Sequence, residues 1–187
     1  NPTEMKSDAI KDTWRTDLAK DPLMTAVAAI DDWSVEHDLK VWNLLTQREG
    51  TIMEPPPLSL TKARQQVVLT LQELKQKHDS ILHIEDIAAR DGVRLNKSSK
   101  SPGEESIAQI RTWHQLLQNM NPSRPSVTIL HVARRLTTAA SWFARNTGTG
   151  RTAASDVVRL PIVVAAKAVD GSIRAASWAW LAHLRRT

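Results

Sequence analysis

The stretch SPGEESIAQIRTWHQLLQNMNP, residues 101–122, decides the fold class. Ser101 stands where a helix N-cap belongs, Pro102 suits the first helical position, and Glu104 follows three residues after the serine, the spacing of a capping box. Ile107, Ile110, Trp113, Leu117 and Met120 then recur at intervals of three and four, and Asn121-Pro122 stops the run. The same period governs nearly every other segment, and β-branched runs are short. The chain is therefore expected to be all-α, a bundle of about seven or eight helices, with two lobes as an option.

Working downstream, Ser126 opens a helix whose apolar face is Ile129, Leu130, Ala133, Leu136, Ala140 and Phe143, and residues 146–150 end it. Residues 155–169 are ambiguous: paired valines suit a strand, whereas Ala165, Ala166 and Ala168 suit a helix, with Pro161 kinking or dividing either. The helical reading is adopted. Ser172 is expected to cap a last helix carrying Ile173, Ala176, Trp180 and Leu184. Upstream, Met5, Ile10, Trp14 and Leu18 share a stripe that stops at Asp21-Pro22, where Asp21 can cap the next helix. Val35, Leu39, Trp42 and Leu45 form another stripe, closed at Gly50. Ser59 or Thr61 can start a long helix through His78, and Ser80 to Arg90 forms a short one. The proline run Glu54-Pro55-Pro56-Pro57 divides the chain into an acidic N-terminal helical lobe, 1–54, a linker, 55–58, and a basic helical domain, 59–187. Packing of both parts into one domain is also compatible.

A chain of 187 residues and 20.9 kDa without cysteine excludes a disulfide scaffold, a thiolate zinc site and a Cys nucleophile. The longest apolar stretch, Val157 to Val169, contains Arg159, Pro161 and Lys167, and is short of the ~20 residues a membrane helix needs. The first residue is Asn1, with Met5 inside the chain, which reads as a processed or trimmed piece.

The net charge of +5 hides a division. Residues 1–93 carry 11 Lys and Arg against 16 Asp and Glu, whereas residues 94–187 carry 14 against 4. Eleven of those 14 cations are arginines, whose planar fork of donors fits phosphate oxygens. The expected role is a non-enzymatic, self-associating protein that binds nucleic-acid backbone, RNA or DNA, with low sequence preference, in a nucleocapsid-like or packaging role. The cations assigned to that contact are Arg94, Lys97, Lys100, Arg134, Arg135, Arg145, Arg151 and Arg159. A structural or scaffold bundle is the rival; its basic half would meet an acidic protein or, peripherally, an anionic membrane.

Other motifs in the chain bear on these two readings. Ile84 to Val93 resembles the first helix and turn of a helix-turn-helix, which would make the protein a DNA-binding regulator, but a Ser/Lys-rich loop stands where a recognition helix belongs. Asn146 to Thr152 offers glycines, a cation and a helix start, a phosphate-contact pattern that lacks the Walker spacing. Of the seven tryptophans, Trp14, Trp42, Trp113 and Trp180 fall on apolar stripes, while Trp142 and Trp178 lie off them and are assigned to an interaction surface. His78, Asp79, His83, Glu85 and Asp86 are the densest group of metal-ligand types, but His78 and His83 are five apart rather than four. No metal, cofactor or catalytic residue is expected.

Overall fold

A computed structural model describes residues 1–47 and 56–186, without the side chains of residues 45 and 46. The Gly50 stop, the Leu45 side chain, and Glu54 and Pro55 of the proline run thus lie outside the described residues.

Asn1 accepts a hydrogen bond from the Thr3 amide and opens α1, Pro2–Thr13, which continues into a π-turn at Trp14–Leu18. The stripe on this segment is shorter than expected: Ile10 and Leu18 are buried, but Met5 is 73% exposed. Asp21 caps α2, Pro22–Ile30, accepting from the Leu23 and Met24 amides. Ser34 caps α3, Val35–Thr46, and Ser59 caps α4, Leu60–Gln76. A 3-10 turn, His78–Ile81, leads into α5, Leu82–Ala88.

Ten α-helices occur among the described residues, more than the seven or eight expected. The stretch 101–122 breaks at Gln109 into α6, Gly103–Ala108, and α7, Ile110–Asn119. Its N-cap position is Pro102, which makes no side-chain cap bond, so Ser101 does not play the role its spacing suggested. Further on, α8, Val127–Leu136, ends ten residues before Asn146. Thr137 and Thr138 donate hydroxyls to the carbonyls of Arg134 and Arg135, a local alternative to continuing the helix. A second 3-10 turn, Ala139–Trp142, follows.

The ambiguous segment is helical and divided at its proline, into α9, Gly148–Val158, and α10, Pro161–Arg186. Ser172 is not a cap. It lies inside the 26-residue α10, where its hydroxyl bonds to Val169 and to Thr70 of α4. The start of α10 is instead satisfied from a distance, by Ser80 accepting from the Ile162 amide at 2.8 Å.

α10 packs against α2, α3, α4, α8 and α9. Small residues on its buried faces, Ala165, Ala166, Ala176 and Ala179, let neighbouring backbones approach closely, and the core runs without a break from Leu18 to Leu184. At its C-terminal end Trp180 stacks on Trp33 at 5.8 Å and meets Trp14 edge-on at 6.3 Å. Asp38 sits between two of these rings, 1% exposed, and accepts from Trp14 Nε1 at 2.9 Å and Trp180 Nε1 at 3.0 Å.

One turn further on, His183 Nε2 lies 2.7 Å from Asp17 Oδ2, tying α10 to the π-turn. That hydrogen bond holds the Asp17 carboxyl below its ordinary value against the opposing effect of desolvation. A depressed carboxyl stabilises the fold above its unfolded pKa of about 3.9 and loses that contribution as pH falls through the folded value. Denaturant titrations from pH 6 downward are expected to show this loss in the wild type and a flatter profile in Asp17→Asn; parallel profiles would refute it.

Candidate nucleic-acid interface

Six of the fourteen cations of residues 94–187 lie on two segments that pair with each other, the loop after α5 and the stretch that leads into and through α9. Gly92 takes φ of +75°, a left-handed conformation that turns the chain back after α5. Residues 94–96 then run beside residues 142–144. Leu95 and Phe143 form an antiparallel bridge, the Ala144 amide donates to the Arg94 carbonyl at 2.8 Å, and the Asn96 amide donates to the Trp142 carbonyl at 2.8 Å. The Asn96 side chain secures the pairing by donating to the Ser141 and Phe143 carbonyls. The region after Val93 is therefore a pinned loop, with no helix before α6, where a helix-turn-helix would place its recognition helix.

α9 begins against this loop. Thr147 caps it by accepting from the Gly150 amide, and Thr149 donates to the Gly92 carbonyl at 2.9 Å. Gly150 passes so close to the preceding strand-like segment that a Cβ there would stand 1.7 Å from the Ala144 oxygen. This contact brings Arg151 over Arg145, whose carbonyl accepts from Arg151 Nε at 3.2 Å. Arg94, Arg145 and Arg151, separated by up to 57 residues in the chain, are all exposed, and the backbone segments that carry them are hydrogen-bonded to one another. Among the described residues, no carboxylate lies within ion-pair distance of these three guanidinium groups. The two segments forming the junction, 90–100 and 142–159, carry seven cations against two carboxylates, Asp91 and Asp156.

The other assigned residues divide. Arg159 is exposed at the C-cap of the same helix, and Lys100 is exposed on the loop. Lys97 is paired with Glu104 at 3.3 Å, with 77% of its side chain still exposed. Arg134 does not join them. It crosses from α8 to bind Asp31 at 2.6 Å, Asp170 at 3.3 Å and the Ile30 carbonyl at 3.1 Å. Burial lowers its pKa, but the hydrogen bond and charge of Asp31, with Asp170, outweigh this and hold it above the ordinary value. Arg135 is likewise turned inward, donating to Ser106 of α6. Both lie beside the apolar face of α8, so partners from other helices reach them.

Trp142 is also corrected: it is 1% exposed and packs against Trp113 with ring centroids 5.9 Å apart. The helix on which it had been placed ends before it, so its position off that helix's stripe carries no information about burial. Trp178 is half-buried and lines a groove of about 420 Å³ with Pro56, Pro57, Leu58 and Ala175. Sequence reasoning missed Arg90, which pairs with Asp156 and leaves that carboxylate engaged beside the arginine junction. An Arg four residues before Arg94 was the available signal.

Guanidinium groups without a carboxylate partner can take phosphate oxygens in bidentate geometry, and desolvate more readily than ammonium groups. No helix among the described residues is long and apolar enough to cross a membrane. Comparison of the chain with protein-family models, with curated proteins and with solved structures finds no match.

Proposed function

We propose that the protein is a non-enzymatic binder of nucleic-acid backbone, that its contact is centred on Arg94, Arg145 and Arg151 with Lys100 and Arg159 at the margins, and that it self-associates in a nucleocapsid-like or packaging role. The observation that carries this reading is that three exposed arginines, distant in sequence and without a carboxylate partner among the described residues, lie on segments whose backbones are hydrogen-bonded together. Three guanidinium groups neutralising three phosphates release counterions, so binding is set by charge and spacing rather than by base identity. Arg134 and Arg135 have no part in it, being held by groups of the same chain.

The test is fluorescence anisotropy with mixed-sequence RNA and DNA oligonucleotides across salt concentrations. Between 50 and 200 mM salt, affinity is expected to fall about fortyfold for duplex DNA and about twentyfold for single strands, for three phosphate contacts. Arg145→Ala with Arg151→Ala is expected to reduce the salt slope by about 2. Salt-insensitive binding, or an unchanged slope in the double variant, would overturn the proposal. A second reading, a protein-interaction bundle, is favoured by the groove at Trp178, whose lining is mainly apolar. Binding to an acidic protein or anionic liposomes without binding to oligonucleotides would select it. Light scattering on the eluting protein tests self-association under either reading.

A further inference from the structure

Away from the arginine junction, the 3-10 turn at His78–Ile81 packs against α7 and brings His114 beside His78 and Asp79. The two imidazole rings are 5.2 Å apart between centroids, and one ligand-type atom from each of the three residues lies within 4.8 Å of the others. His114 Nε2 stands 2.8 Å from Asp79 Oδ1, and His78 Nε2 stands 3.2 Å from the same oxygen. About 20% of each imidazole is exposed while 81% of the Asp79 side chain is, so packing holds the rings and leaves the carboxylate reachable from solvent.

The hydrogen bonding of His78 is informative. Its Nδ1 lies 2.7 Å from the Lys75 carbonyl, which only accepts, so Nδ1 carries a proton. In the neutral ring Nε2 then has a lone pair, and it faces a carboxylate oxygen at hydrogen-bond distance. Two acceptors so placed need a positive centre between or beside them. A proton on Nε2 supplies one; a metal ion supplies another and uses the lone pair directly. A backbone carbonyl fixing the far nitrogen of an imidazole is the usual outer support of a metal-bound histidine. Nitrogen and oxygen ligands about 2.0–2.2 Å from a tetrahedral ion are separated from one another by about 3.3 Å. The His78–Asp79 separation matches that spacing, and the His114–Asp79 separation needs a shift of about half an ångström.

We propose that His78, Asp79 and His114 form a binding site for a single divalent transition-metal ion of the zinc type, held by two imidazole nitrogens and one carboxylate oxygen. Three protein ligands leave a coordination position open to water or another ligand. The open groove beside the cluster, about 680 Å³ and lined by His83, Glu85, Asp86 and Gln115 among others, gives access to that position. With no thiolate in the chain, the donor set suits Zn²⁺, Co²⁺ and Ni²⁺ better than soft-metal chemistry.

The experiment is titration of the full chain, freed of metal by chelation, with Zn²⁺ by calorimetry and with Co²⁺ by visible absorption. One ion per chain is expected, with cobalt bands of a four- or five-coordinate site. His114→Gln and His78→Gln are each expected to weaken binding at least about tenfold, a change of the size seen when metal-site groups are lost. His83→Gln, on the exposed side of the same groove, is expected to bind as the wild type does. Imidazole ¹⁵N spectra of the wild-type protein test the site without any substitution: Nε2 of His78 and of His114 should shift on adding Zn²⁺. Absence of saturable binding, equal weakening by all three variants, or unmoved resonances of His78 and His114 would overturn the proposal.

Discussion

Gly150→Ala is expected to destabilise the protein by about 3 kcal/mol, whereas Gly148→Ala, two residues earlier in the same helix, is expected to be neutral or stabilising by up to about 1 kcal/mol. At position 150 the new methyl group would stand 1.7 Å from the Ala144 oxygen, an impossible approach that only a shift of the backbone can relieve. At position 148 nothing lies within 4 Å, and alanine's greater helix propensity acts alone. Urea denaturation followed by circular dichroism measures both. Because relieving the clash moves α9 away from the Arg145 segment, Gly150→Ala is further expected to lower oligonucleotide affinity where Gly148→Ala leaves it intact. Equal stabilities for the two variants would mean that the backbones are not in contact at this point.

Asp38→Ala is expected to cost about 3 kcal/mol, because the substitution removes the acceptor shared by two indole N–H groups. Trp180 is 1% exposed and has no route to water for its Nε1 proton. Asp38→Asn keeps one acceptor oxygen of similar shape and is expected to lose about 1 kcal/mol. Combining Asp38→Ala with Trp14→Phe should cost less than the sum of the single changes, since the phenylalanine removes one of the stranded donors. Chemical denaturation of the four proteins decides the matter. Strict additivity would show that the carboxylate and the indole act independently.

What the sequence revealed of the fold was local. Asp21, Ser59 and Ser126 each stand before an apolar stripe and each caps the helix that follows, because a cap is written within four residues. The missed boundaries are those that a competing local bond or a distant partner sets. Thr137 and Thr138 stop α8 early by bonding back to its carbonyls, and Ser80 starts α10 from 82 residues away. The candidate sites follow the same rule. Charge segregation pointed to the second half of the chain, but Arg134 is held by Asp31 from 103 residues away, and no pattern around Arg134 signals this. His114 was invisible as a partner of His78 and Asp79 for the same reason: it lies 35 residues from Asp79, on a different helix.

Because α10 touches α2, α3, α4, α8 and α9, the last residues described form the common wall of helices made long before them. During synthesis on the ribosome, residues 1–160 would leave the exit tunnel without that wall, their apolar stripes facing water or one another. Native burial of those stripes can be completed only after residues 161–186 emerge, an interval of about one to five seconds at about 5–20 residues per second.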